Sequence, residues 1–117
     1  LNRLPSIRKN AILYFLRELP KKPVFCVLFG STAKNNFTAE SDIDLLLVVN
    51  ERINTKQAEE HADAQTAIRI SPMQIEGNEF KEELKLKQDK VVQSALATGY
   101  PVTNHIEFYR MVHDEGI

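Results

Sequence analysis

The chain has 117 residues, 43% hydrophobic and 26% charged, with four glycines and five prolines; that balance suits one folded domain and excludes a disordered or fibrous chain. Fifteen basic residues against sixteen acidic ones give a net charge of −1, which argues against bulk nucleic-acid binding, since modules of that kind carry a basic excess. The lone cysteine, Cys26, excludes an intrachain disulfide, and neither a membrane-spanning apolar run nor a signal-peptide pattern is visible, so a cytoplasmic protein with no membrane partner is expected.

In chain order, Ser6 to Leu19 reads as an amphipathic helix, with Ile12, Phe15, Leu16 and Leu19 on one face, Ser6 as N-cap and Pro20 as the stop. Val24 to Phe29 is a continuous apolar run that suits a strand covered on both faces and ended by Gly30. A short helix from Ser31 to Asn35 and a polar loop through Glu40 lead to a second apolar strand, Ile43 to Val49. Thr55 to about Gln65 is helical, and Thr66 to Glu76 alternates as a third strand, placed at an edge or given a bulge by Pro72. A break at Gly77-Asn78 precedes a charged helix from Glu79 to about Lys90. Val91 to Thr98 is helical up to Gly99, read as a C′ glycine. Tyr100 to Thr103 is extended, and Asn104 with Glu107 resembles a capping box for a last helix carrying Phe108, Met111 and Val112. The order predicts an α/β (α+β) domain: a short mixed sheet flanked by helices, over residues 1–117. The helix over 6–19 belongs to this domain or, in a chain cut from a longer one, follows an upstream DNA-binding unit.

Chemistry concentrates in Gly30-Ser31-Thr32-Ala33-Lys34 and Ser41-Asp42-Ile43-Asp44. Asp42 and Asp44 are two apart, so a strand sends both carboxylates to one face, where they repel unless a cation offsets them. Mg²⁺ commonly takes one or two carboxylates together with phosphate oxygens. The plainer reading puts both at a solvated strand mouth. Gly30-Ser31, where a strand gives way to a helix, offers backbone N–H groups, a hydroxyl and close approach to an anion, with Lys34 adding charge. The plainer reading there is a turn glycine and a capping serine.

Gly30-Ser31, Asp42-x-Asp44 eleven residues on, and the apolar Leu45 to Val48 resemble the signature of the DNA polymerase β-like nucleotidyltransferase superfamily, in particular its small, minimal domains. The signature covers about a fifth of the chain, Val27 to Val49. The resemblance implies Mg²⁺-dependent transfer of a nucleoside monophosphate from a nucleoside triphosphate, ATP in the first instance, to a hydroxyl acceptor. It implies that Gly30 and Ser31 bind phosphate and that Asp42 and Asp44 hold metal, with two Mg²⁺ ions acting on an in-line displacement. It also implies a third carboxylate, on a later strand, acting as base. Thr66 to Glu76 has no aspartate; either Glu76 fills that role, giving Asp42, Asp44 and Glu76 as catalytic residues, or Gln74 stands where the acid belongs.

Thr32, Lys34 and Asn35 depart from the family's usual arginine and glycine here; Lys34 keeps the charge without the bidentate fork, and Asn35 tolerates a left-handed turn. His61, His105 and His113 show no metal-ligand spacing, Cys26 reads as a buried small hydrophobe, and Phe108-Tyr109 as packing. A non-catalytic nucleotide-binding or antitoxin-like module of the same fold is the alternative function. The small size directs acceptor recognition to a helical partner protein, a second copy or a further segment.

Overall fold

The computed structural model describes residues 4–116, with side chains through 113. The first helix, α1 (Ser6–Glu18), takes the expected cap residue, Ser6, as its own first residue. Pro5 occupies the cap position, and its carbonyl accepts the amides of Arg8 and Lys9, so Ser6 does not cap. Its inner face carries Ile12 and Phe15 as the spacing predicts, with Leu16 and, just past its end, Leu19 half-buried, and also Ala11 and Arg8.

Every residue of β1 (Phe25–Phe29) is buried, which is what a continuous apolar run achieves only as a central strand. The short α2 (Gly30–Lys34) follows without a linker and ends at Asn35, in the left-handed conformation expected for it (φ 60°). β2 (Ile43–Val49) returns antiparallel to β1, with Phe29 opposite Asp44 and Phe25 opposite Val48.

Next comes α3 (Lys56–Thr66), closed by Ala67 at φ 58°. The third strand, β3 (Ile70–Glu76), is shorter than the alternation over 66–76 suggests, because Thr66 ends the helix and bonds back to Ala62 O. β3 pairs parallel to β2 at the sheet edge, where Pro72 is tolerated.

Gly77 and Asn78 form the first turn of α4 (Gly77–Leu86) instead of breaking the chain before it. Lys87 turns left-handed after α4. Asp89 Oδ1 then accepts from the amides of Val91 and Val92 to cap α5 (Lys90–Thr98). Gly99 is extended (φ −91°, ψ 175°) and not the left-handed cap expected; a Cβ there would stand 2.5 Å from the carbonyl oxygens of Ala95 and Leu28. Close approach, not handedness, requires this glycine.

β4 (Tyr100–Thr103) pairs antiparallel to the other side of β1, giving the sheet order β3-β2-β1-β4. Ahead of the last helix, α6 (His105–Gly116), the Asn104 side chain reaches across to the residue before β1, its Nδ2 donating to Val24 O.

Helices cover both faces. Ile12 and Phe15 of α1 and Ala58 and Ala62 of α3 pack on Cys26, Leu28, Ile43, Leu45 and Leu47. Phe80, Val92 and Phe108 of α4, α5 and α6 pack on Phe25, Val27, Leu46 and Val48, with Phe25 edge-on to both Phe80 and Phe108. Cys26 is fully buried, and burial pushes its thiol pKa far up, as befits a core hydrophobe. Among the described residues, no helix is long and apolar enough to cross a membrane.

Candidate functional site

Antiparallel pairing explains how two motifs separated along the chain come together. β1 ends where β2 begins, so Gly30, directly after Phe29, lies against Asp44, the β2 partner of Phe29. Gly30 has φ +73°, and a Cβ on it would overlap Asp44 Oδ2 and lie 3.1 Å from Cγ. Glycine is therefore required twice, by the left-handed backbone and by the carboxylate seated on the turn. Ser31, half-buried, is the second residue of α2, whose leading N–H groups have no intrahelical acceptor.

Asp44 points to the same face as Leu46 and Val48, at its polar end. Its pKa is raised, first by burial and then by the charge of Asp42, so the two carboxylates sense each other as the two-residue spacing predicts. Arg69 Nε lies 4.0 Å from Asp42 Oδ2 in an exposed position, and the buried Arg8 guanidinium also feels the charge of Asp42. The Arg69 pair, held in solvent, offsets little charge. The aspartate pair fits a hard divalent cation: two carboxylates two residues apart, one of them disfavoured as an anion and seated against the Gly30 turn. Among the described residues no group of three or more His, Cys, Asp or Glu could hold a metal, so the fit is to a cation whose remaining ligands are phosphate oxygens and water.

Lys34 is exposed at the last position of α2, three residues after Ser31. Glu76 is not brought to the site. In the parallel register Asp44 faces Ser71, while Glu76 faces Val49, five residues on, or about 16 Å along the strand. Parity separates them too: Ile70 packs on the α1–α3 side, so Pro72, Gln74 and Glu76 share that side, whereas Asp44 looks to the other. Glu76 instead lines a cleft of about 330 Å³ with Val24, Gly77, Asn78 and Lys81, at the opposite end of the sheet. The base role expected of Glu76 is thereby corrected, since proton abstraction needs hydrogen-bond reach.

Gln74 is no displaced acid either. Its side chain clamps one peptide group, accepting from Ile53 N at 2.9 Å and donating to Ile53 O at 2.6 Å. At the level and on the face of Asp44, β3 presents Ser71 and Met73.

One residue escaped the sequence reading. Arg8 is 2% exposed. Its Nη1 donates to Thr32 Oγ1 at 3.0 Å, and its Nη2 donates to Thr38 O at 2.8 Å and Ser41 O at 2.9 Å. The guanidinium carbon lies 4.3 Å from the centroid of the Phe37 ring. The available signal was an arginine at the i−4 position from Ile12 and i−7 from Phe15, on the apolar stripe.

With this geometry in view, the comparison with known families has a structural counterpart. The family model described as "Polymerase beta, Nucleotidyltransferase" matches residues 10–98, from within α1 to the end of α5. The chain belongs to the polymerase beta nucleotidyltransferase family, and its mixed four-stranded sheet with helices on both faces is the nucleotidyltransferase fold. No curated protein matches the sequence.

Proposed function

We propose that the chain binds a nucleoside triphosphate, ATP in the first instance, with Mg²⁺ between the Gly30 turn and the Asp42–Asp44 pair, and transfers its nucleoside monophosphate to a hydroxyl acceptor. The observation that supports this most is the Asp44 carboxylate seated on Gly30, which joins an anion-binding turn to a cation-binding pair. Gly30 and Ser31 would hold phosphate through backbone N–H groups and a hydroxyl, with Lys34 adding positive charge. Asp42 and Asp44 would hold the metal. When bound, Mg²⁺ neutralises charge on the phosphates as the transfer proceeds. In that transfer the acceptor oxygen bonds to the α-phosphorus and the bond from that phosphorus to the α–β bridging oxygen breaks. Pyrophosphate leaves with the electron pair, and the acceptor proton passes to solvent, because β3 offers no carboxylate at the level of Asp44.

That same feature favours a second reading. Two carboxylates and the triphosphate suffice for one Mg²⁺, but a second ion would lack the third carboxylate that the resemblance implies. A non-catalytic nucleotide-binding module, working with a helical partner protein or a second copy, needs no base. Incubation with α-labelled ATP, Mg²⁺ and hydroxyl acceptors separates the two. Label transfer with pyrophosphate release, lost in Asp42→Asn, is the result expected of the transferase. ATP binding without any pyrophosphate release would replace it by the binding module.

A further inference from the structure

We infer that Arg8 is a positioning residue for the nucleotide site: from α1 it locks the turn that binds phosphate and the loop that carries Asp42 into one arrangement. The inference rests on the nucleotide reading of the site and deepens it. Arg8 lies two residues ahead of the segment that matches the family, so the match does not account for it.

A buried guanidinium is costly unless its donors are met and its plane is covered. Arg8 is met by acceptors from two segments. Thr32, 1% exposed, belongs to α2. Thr38 O and Ser41 O belong to the loop between α2 and β2. That loop forms a local turn of its own, with Ser41 N donating to Thr38 O at 3.1 Å and Thr38 N to Ser41 Oγ at 2.9 Å. The turn aims both carbonyls at one donor, Nη2.

Ser41 O is the carbonyl of the peptide that joins Ser41 to Asp42. Holding it fixes the plane from which the Asp42 side chain departs. Thr32 Oγ1 likewise fixes α2 one residue after Ser31, and Phe37 covers the guanidinium between the two anchor points. The same plane thus sets the spacing between Ser31 and Asp42, the two ends of the proposed phosphate–metal site. Lysine has a single nitrogen and no plane, so it cannot meet three acceptors and stack on Phe37 together.

The test is calorimetric titration of Mg²⁺ and ATP into the wild-type chain, Arg8→Lys, Arg8→Ala and, as a control, Arg17→Ala on the exposed side of α1. It is run at a temperature where circular dichroism shows each variant folded. A merely structural arginine lowers the melting temperature but leaves the affinity of the folded protein unchanged. Positioning predicts affinity weakened about tenfold or more in Arg8→Lys, unchanged in Arg17→Ala, and restored to Arg8→Ala by millimolar methylguanidinium. If Arg8→Ala does not fold, Arg8→Lys carries the test alone. Equal affinity in wild type and Arg8→Lys overturns the inference and leaves the nucleotide reading standing. No binding to the wild type overturns that reading, and the inference with it.

Discussion

At the scale of single residues, the contact between Gly30 and Asp44 decides most. A methyl group at position 30 meets the Asp44 carboxylate and holds a side chain at φ +73°, so Gly30→Ala should destabilise the protein by about 1–3 kcal/mol. Thermal unfolding measures this, and an unchanged melting temperature would show that the turn relaxes freely. Asp44 supplies a second prediction through its proton. Its native pKa lies above the ordinary 3.8, owing to burial and then to Asp42. Between the unfolded and native pKa values the native state therefore holds the extra proton. The Asp44 contribution to stability is complete below the unfolded value and is lost as pH rises through the native one. Asp44→Asn removes that loss, so the ligand-free variant should melt higher than wild type at pH 7 and show a weaker fall in stability with rising pH. A melting temperature below wild type at every pH would contradict the assignment of Asp44 as a carboxylate awaiting a cation.

At the scale of elements, the third strand is the informative one. Its edge position follows from Pro72, and the sequence alone places Gln74 and Glu76 on one side of it. Which side could not be read, because that depends on the pairing of Ile70 with Ile43 and on helix α1 packing over both. Gln74 turns out to be a structural clamp on Ile53. Gln74→Glu would keep an acceptor for Ile53 N but place a carboxylate oxygen against Ile53 O, so the variant should lose about 1–3 kcal/mol and gain no transfer activity. Transfer activity gained by that variant would show that Gln74 does stand in an acid's place. Caps behave more simply. Asp89→Ala removes the acceptor for Val91 N and Val92 N, at a cost of about 1 kcal/mol, or roughly 4 °C in melting temperature; nucleotide affinity should not change. At Gly99 and Asn104 the sequence signals pointed to helix caps, while the structure uses both for contacts between distant segments, with Leu28 O and Val24 O. Local patterns cannot announce such partners.

At the scale of the whole molecule, one sheet has two polar ends, and the candidate site occupies only one of them. Gly30-Ser31 and Asp42-x-Asp44 were legible because antiparallel neighbours bring the end of β1 to the start of β2. The apolar runs of β1 and β2 showed their burial directly, each being covered by helices on both faces. Arg8 was not legible, since its three acceptors include two backbone carbonyls of a loop, 30 and 33 residues further along the chain, which no side-chain pattern encodes. The domain is small, with a Cα radius of gyration of 13.6 Å over the described residues, and its helices are already committed to the two cores. The central claim is that the carboxylate pair and the Gly30 turn act as one site for a nucleotide and its metal. Calorimetry with ATP tests it most directly, in the presence and absence of Mg²⁺, on the wild type and on the double variant Asp42→Asn, Asp44→Asn. The account predicts Mg²⁺-dependent binding by the wild type and none by the double variant; equal binding by both would contradict it.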